Sequence, residues 1–151
     1  MAIGTNATIE LFGTQDQLDT SSASVADAAF SIASDTSEWV NDDDAPLASV
    51  VGKFTFATAP TAGTTIDLYL QKLNVQSTDD DDFPNADIPR TYVGSFTLDN
   101  VTTEQIQTIE IKLPNYKTSS VFVAAIQNNG GQTLSAGWEL WITPKTYGPH
   151  A

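Results

Sequence analysis

Ser120-Val121-Phe122-Val123-Ala124-Ala125-Ile126-Gln127 is the stretch whose pattern decides the fold. Its length and its β-branched and aromatic residues suit a strand, and it is apolar on both faces, as a strand covered from both sides is. Asn128-Asn129-Gly130-Gly131 follows at once, and Asn and Gly accept the positive φ angles that hairpin turns need. The expected return strand is 133–143, with Trp138, Leu140 and Ile142 on one face and Glu139 and Trp141 on the other.

Outward from there, period-two patterns recur along the chain. Gln105 to Leu113 puts Ile109, Ile111 and Leu113 on one side, and Tyr92 to Leu98 precedes it. Thr64 to Leu73 aligns Ile66, Leu68 and Leu70, while Leu47 to Ala57 sets Val50, Phe54 and Phe56 against Val51, Lys53 and Thr55. Between these two, Ala59-Pro60-Thr61-Ala62-Gly63 predicts a hairpin or an arch. Thr8 to Phe12 is a strand ended by Gly13. The Ser- and Ala-rich segment 20–37 fits a strand at 29–33 better than a short helix. The sum is an all-β chain: an antiparallel β-sandwich, jelly-roll-like, of about eight strands.

At 151 residues the length suits a single β-sandwich domain over 1–151. Within it, residues 1–46 are either strands of the sandwich or partly an extended arm. Residues 144–151 read as a C-terminal tail, and 75–90 as a polar surface excursion too long for a hairpin loop.

Charge and composition then limit the function. Six basic residues face nineteen acidic ones, and a net charge of −13 repels phosphate backbones and anionic lipids, so nucleic acid and membrane are not expected partners. No leader or membrane-length apolar run is present in these residues, which fits a protein soluble as made. There is no cysteine, and the single histidine, His150, lies beside Pro149 outside any strand pattern, so the usual nucleophile and base pairs are missing.

Paired carboxylates are the remaining enzymatic option, with Asp67, Glu110 and Glu139 as candidates on strand faces. Solvated strand surface explains them equally well, and no enzyme activity is expected. The clusters Asp42-Asp43-Asp44 and Asp79-Asp80-Asp81-Asp82 offer oxygen ligands. However, Pro84 stands where a calcium loop starting at Asp79 needs glycine, and Arg90 where it needs its closing carboxylate. Both read as solvated acidic loops. No catalytic, cofactor-binding or metal-binding residues are therefore assigned. Tyr92, Trp39, Trp138 and Trp141 could together form a sugar-stacking platform, with Trp138 better suited to the core and Trp141 to an interface.

Three stretches carry a resemblance to the small β-sandwich virion structural proteins of tailed bacteriophages, of the capsid decoration or cement type. They are Ala59 to Leu70, the acidic insertion running through Asp87-Ile88-Pro89-Arg90 into Tyr92-Val93-Gly94-Ser95-Phe96, and Val121 to Ile142. The resemblance implies a non-enzymatic protein made in the host cytoplasm and held in many copies on the capsid surface. There it would bind and stabilise the major capsid protein lattice as a homo-oligomer, with a trimer expected. It supplies no site residues. The alternative is a carbohydrate- or receptor-binding module of a head fibre or tail.

Overall fold

The computed structural model describes residues 8–20, 23–31, 38–73, 92–114 and 120–149. Among these the chain forms nine strands: β1 (Thr8–Phe12), β2 (Asp16–Thr20), β3 (Glu38–Asn41), β4 (Leu47–Phe54), β5 (Thr65–Leu73), β6 (Tyr92–Thr97), β7 (Gln105–Lys112), β8 (Ser120–Asn129) and β9 (Glu139–Pro149). One sheet runs β1-β9-β4-β7, with β2 also on β9, and the other runs β3-β8-β5-β6. All pairings are antiparallel.

The pairs β2–β9, β3–β8, β4–β7 and β5–β6 nest inside one another, like the two arms of a single long hairpin rolled into two layers. That is the jelly roll expected from sequence.

Alternation fills the space between the layers. Ala48, Val50 and Phe54 of β4 and Leu140 and Ile142 of β9 face Ile66, Leu68 and Leu70 of β5 and Phe122, Ala124 and Ile126 of β8, all fully buried. Phe54 and Phe96 meet edge-on across the two sheets at 5.2 Å, and Trp39 stacks on Phe122. Val121, Val123 and Ala125 lie on the opposite face of β8 and are buried too, so both faces of that strand are covered as its composition requires.

Three expectations are corrected. The Asn-Asn-Gly-Gly turn does not make a hairpin, because β8 already has β5 on one edge and β3 on the other, leaving no place for β9 in that sheet. Asn128 instead organises a crossing between sheets: its Nδ2 donates to Val25 O and Gln132 O, and its Oδ1 accepts from Gly130 N. Gly131 takes φ +75°, and the return strand starts only at Glu139. Second, the strand expected at 29–33 reduces to one bridge, Phe30 opposite Gln127, on the edge of β8 that β3 occupies further along; residues 32–33 lie outside the described residues.

Third, 144–149 is not a tail but the C-terminal half of β9, paired with β1. Pro144 lies inside this strand, where proline can donate no ladder bond. Within an antiparallel strand a residue's N and O point to the same side, and Pro144 O accepts from Gly13 N at 2.8 Å. The missing N–H therefore faces the gap between β1 and β2, where no ladder bond is lost. Residues 8–12, 16–20 and 38–41 of the segment read as a possible arm take strand positions in the two sheets. Ala59 to Gly63 is the arch of its two alternatives, since β4 and β5 lie in different sheets.

Candidate interaction surface

The outer face of the five-stranded sheet follows from register. With Val50 and Phe54 inward, Leu47, Ser49, Val51 and Lys53 point outward, and their partners do the same. One row across the strands reads Phe12, Lys145, Leu47, Lys112, and another Trp141, Val51, Thr108. Lys145 is the hub of the first row. Its Nζ lies 2.8 Å from Glu10 Oε1, also bridges Glu110, and sits 5.5 Å from the centre of the Phe12 ring. The hydrogen bonds to Glu10 and then Glu110 hold its ammonium above the usual range, and little of its side chain is exposed.

A second group lies at the other end of that face. Trp141 Nε1 and Lys53 Nζ both donate to Glu139 Oε2, at 2.9 and 3.2 Å. The indole first and the lysine second pull the Glu139 carboxyl below its ordinary value, and Glu139 in turn raises Lys53.

These pairings dispose of a carboxylate dyad among the three candidates. Glu110 stands opposite Ser49 and Glu139 opposite Lys53, on strands flanking β4, so they are offset by four residues of β4. That offset is roughly 13 Å along the strand, beyond the ~5–9.5 Å that glycoside hydrolysis uses. Asp67 is on the outer face of the other sheet, with the core between it and both glutamates.

The four aromatic residues do not share a platform either. Trp39 and Trp138 are in the core, Trp141 is half-buried on the five-stranded sheet, and Tyr92 is exposed on the four-stranded one. Tyr92 instead belongs to a polar relay that sequence reading missed. Asn129 Nδ2 donates to Asp67 Oδ2 at 2.9 Å, and Ser95 Oγ donates to Asp67 Oδ1 at 2.6 Å. Since Ser95 has one proton to give, the Tyr92 hydroxyl, 2.7 Å away, is the donor to Ser95. Tyr69 packs edge-on against Tyr92 and hydrogen-bonds Gln127; burial, then Asp67, raises its phenol above the usual range.

Asp42, Asp43 and Asp44 are exposed on a tight turn that buried Asn41 closes by exchanging two hydrogen bonds with the Ala45 backbone. Among the described residues no three acidic or histidine side chains are grouped to hold a metal ion. Asp79 to Asp82 and His150 lie outside the described residues. The Lys145 hub was missed because 144–151 was read as a tail, yet Trp141, Thr143, Lys145 and Tyr147 continue the period-two alternation of the preceding residues. Extending that register past the proline would have found it.

No family model matches the chain, and no curated protein matches its sequence. Solved structures of similar fold include the C-terminal CBM6 of LamC, a laminarinase of Zobellia galactanivorans, at 9% identity, covering 93% of this chain and 99% of that one, with a TM-score of 0.42. They also include the decameric BFDV capsid protein at 13%, 93% and 97% coverage and 0.37. A third is the Desmodium yellow mottle tymovirus structure at 12%, 100% and 93% coverage and 0.31.

Proposed function

We propose that the chain is a non-enzymatic structural protein of a virus particle: a phage capsid decoration protein that binds the major capsid protein lattice from outside and stabilises it. The observation that carries this reading is the outer face of the five-stranded sheet. There apolar and aromatic side chains alternate with charged ones, Lys53 pairing with Glu139 and Lys145 with Glu10 and Glu110, which is the chemistry of adhesion. A jelly roll is a fold that viral shells and lectins share, which fits without deciding between them. The net charge of −13 keeps such a protein soluble at high copy in the host cytoplasm until it docks, and disfavours nucleic acid and membrane as partners. Self-association, as a trimer, belongs to the same proposal.

The test is mass spectrometry of purified particles together with their thermal resistance before and after the protein is stripped and added back. Stoichiometric presence and restored resistance are expected. Its absence from particles would end the proposal.

One observation favours a second reading, a carbohydrate- or receptor-binding module. The half-exposed Tyr92 ring stands beside Asp67, Ser95 and Asn129, and an aromatic face flanked by hydrogen-bonding groups suits a sugar. A glycan array on which binding is lost with Tyr92→Ala would support it; a blank array would remove it.

A further inference from the structure

β1 and the end of β9 form a two-stranded ribbon that runs past the end of β4. β4 reaches β9 only as far as Lys145, through Leu47, so among the described residues β1 is the sole strand partner of β9 from Thr146 to Pro149. A two-stranded ribbon is marginal in water by itself, and β1 contributes no residue to the core.

The ribbon also concentrates apolar surface. Of the seven large hydrophobic side chains exposed among the described residues, Phe12 and Tyr147 lie on the outer face of its five residue pairs, and Leu11 lies on the opposite face. Thr8-Ile9-Glu10-Leu11-Phe12 carries no lysine, proline or bulge to blunt the edge, and its one charge, Glu10, is paired with Lys145.

Charge identifies what can cover it. At physiological salt only charges within about 8 Å of a contact act strongly, so local balance outweighs the net −13. On the outer face beside the ribbon Lys145 pairs with Glu10 and Glu110, and Lys112 lines the same depression, so two of the chain's six basic residues balance two carboxylates there, while Asp43 lies against Gly13. Both glutamates and both lysines line one depression with Leu47 and Tyr147. Two copies of a chain this acidic repel over most of their surfaces but not here. A patch with an apolar centre and both signs of charge at its rim offers another copy apolar surface to cover and charges of either sign to pair.

We propose that the β1–β9 ribbon, with Leu47 and Lys112 beside it, is where a second copy of this chain docks. This deepens the binding reading above by assigning one face to self-association.

Sedimentation equilibrium of the full chain up to about 100 μM tests it. The parent protein is expected to show an average mass that rises above 16.1 kDa as its concentration is raised. Phe12→Ser with Tyr147→Ser should weaken association about tenfold or more, with an unchanged circular dichroism spectrum. Ile106→Ser removes an equally exposed side chain at the far end of β7 and should leave association unchanged. Zero-length carbodiimide cross-linking of the unmodified protein is a second readout, expected to join Lys112 of one copy to Glu10 or Glu110 of another.

A parent that stays monomeric, a double variant that associates as the parent does, or intermolecular cross-links that all fall elsewhere would each overturn the proposal. A monomer that still binds and stabilises particles would overturn this inference alone and leave the capsid reading standing.

Discussion

Lys145 shows how much one side chain can organise. It lies on the central strand β9 and reaches carboxylates on β1 and β7, so a single ammonium ties the ribbon to the far edge of the sheet. Lys145→Met keeps the stem and removes the charge. Because its carboxylate partners are partly exposed and can rehydrate, the expected cost is about 1–3 kcal/mol, less than for a fully buried pair, and urea unfolding checks it. Glu139 makes a pH prediction. Its folded-state carboxyl is held below its ordinary value of 4.5, chiefly by the Trp141 indole, so its stabilisation is present above that value and is lost as pH falls through the folded one. Trp141→Phe removes the larger cause. The stability gap between parent and variant should therefore be widest near neutrality and shrink below pH 4.5, as urea midpoints across the acid range would show. A gap independent of pH would mean that the indole acts only by packing.

Strands were legible where alternation was clean and misread where the chain changed partners. Ile66, Leu68 and Leu70 are buried on one face as their spacing demands, and the doubly apolar β8 is covered on both sides. What local pattern cannot convey is which sheet the next strand joins. Asn128-Asn129-Gly130-Gly131 encodes a turn, but occupied edges on β8 send the chain to the other layer. Pro144 falls beside the gap between β1 and β2, where its missing donor costs no ladder bond. The Asp67 relay was out of reach for the same reason, since it joins β5, β6 and β8, whose residues are far apart in the chain. The inward position of Gly52 in β4 has its own use: a Cβ there would run into the buried ring of Phe54 and lie 3.2 Å from Phe96. Those two rings form the edge-on contact between the sheets, so Gly52→Ala should cost about 1–3 kcal/mol through overpacking, measured as a lowered thermal midpoint. No loss would mean that the Phe54–Phe96 pair shifts freely.

The nested pairing makes the molecule a unit whose surfaces are set by remote parts of the chain: each outer face combines strands from both arms of the rolled hairpin. With no grouped metal ligands among the described residues, EDTA at constant ionic strength is expected to leave the thermal midpoint within about 1 °C of its starting value. A clear drop would point to Asp79–Asp82 as a calcium loop. The same topology bears on how the protein is made. β9 is the strand on which β1, β2 and β4 all pair, and it is the latest of the nine to be translated. A ribosome that has not passed residue 139 thus holds a chain whose five-stranded layer has no centre, with the inward sides of β2 and β4 open to chaperones and proteases. The same segment completes the sheet and the β1–β9 ribbon, so neither can exist before β9 has been made.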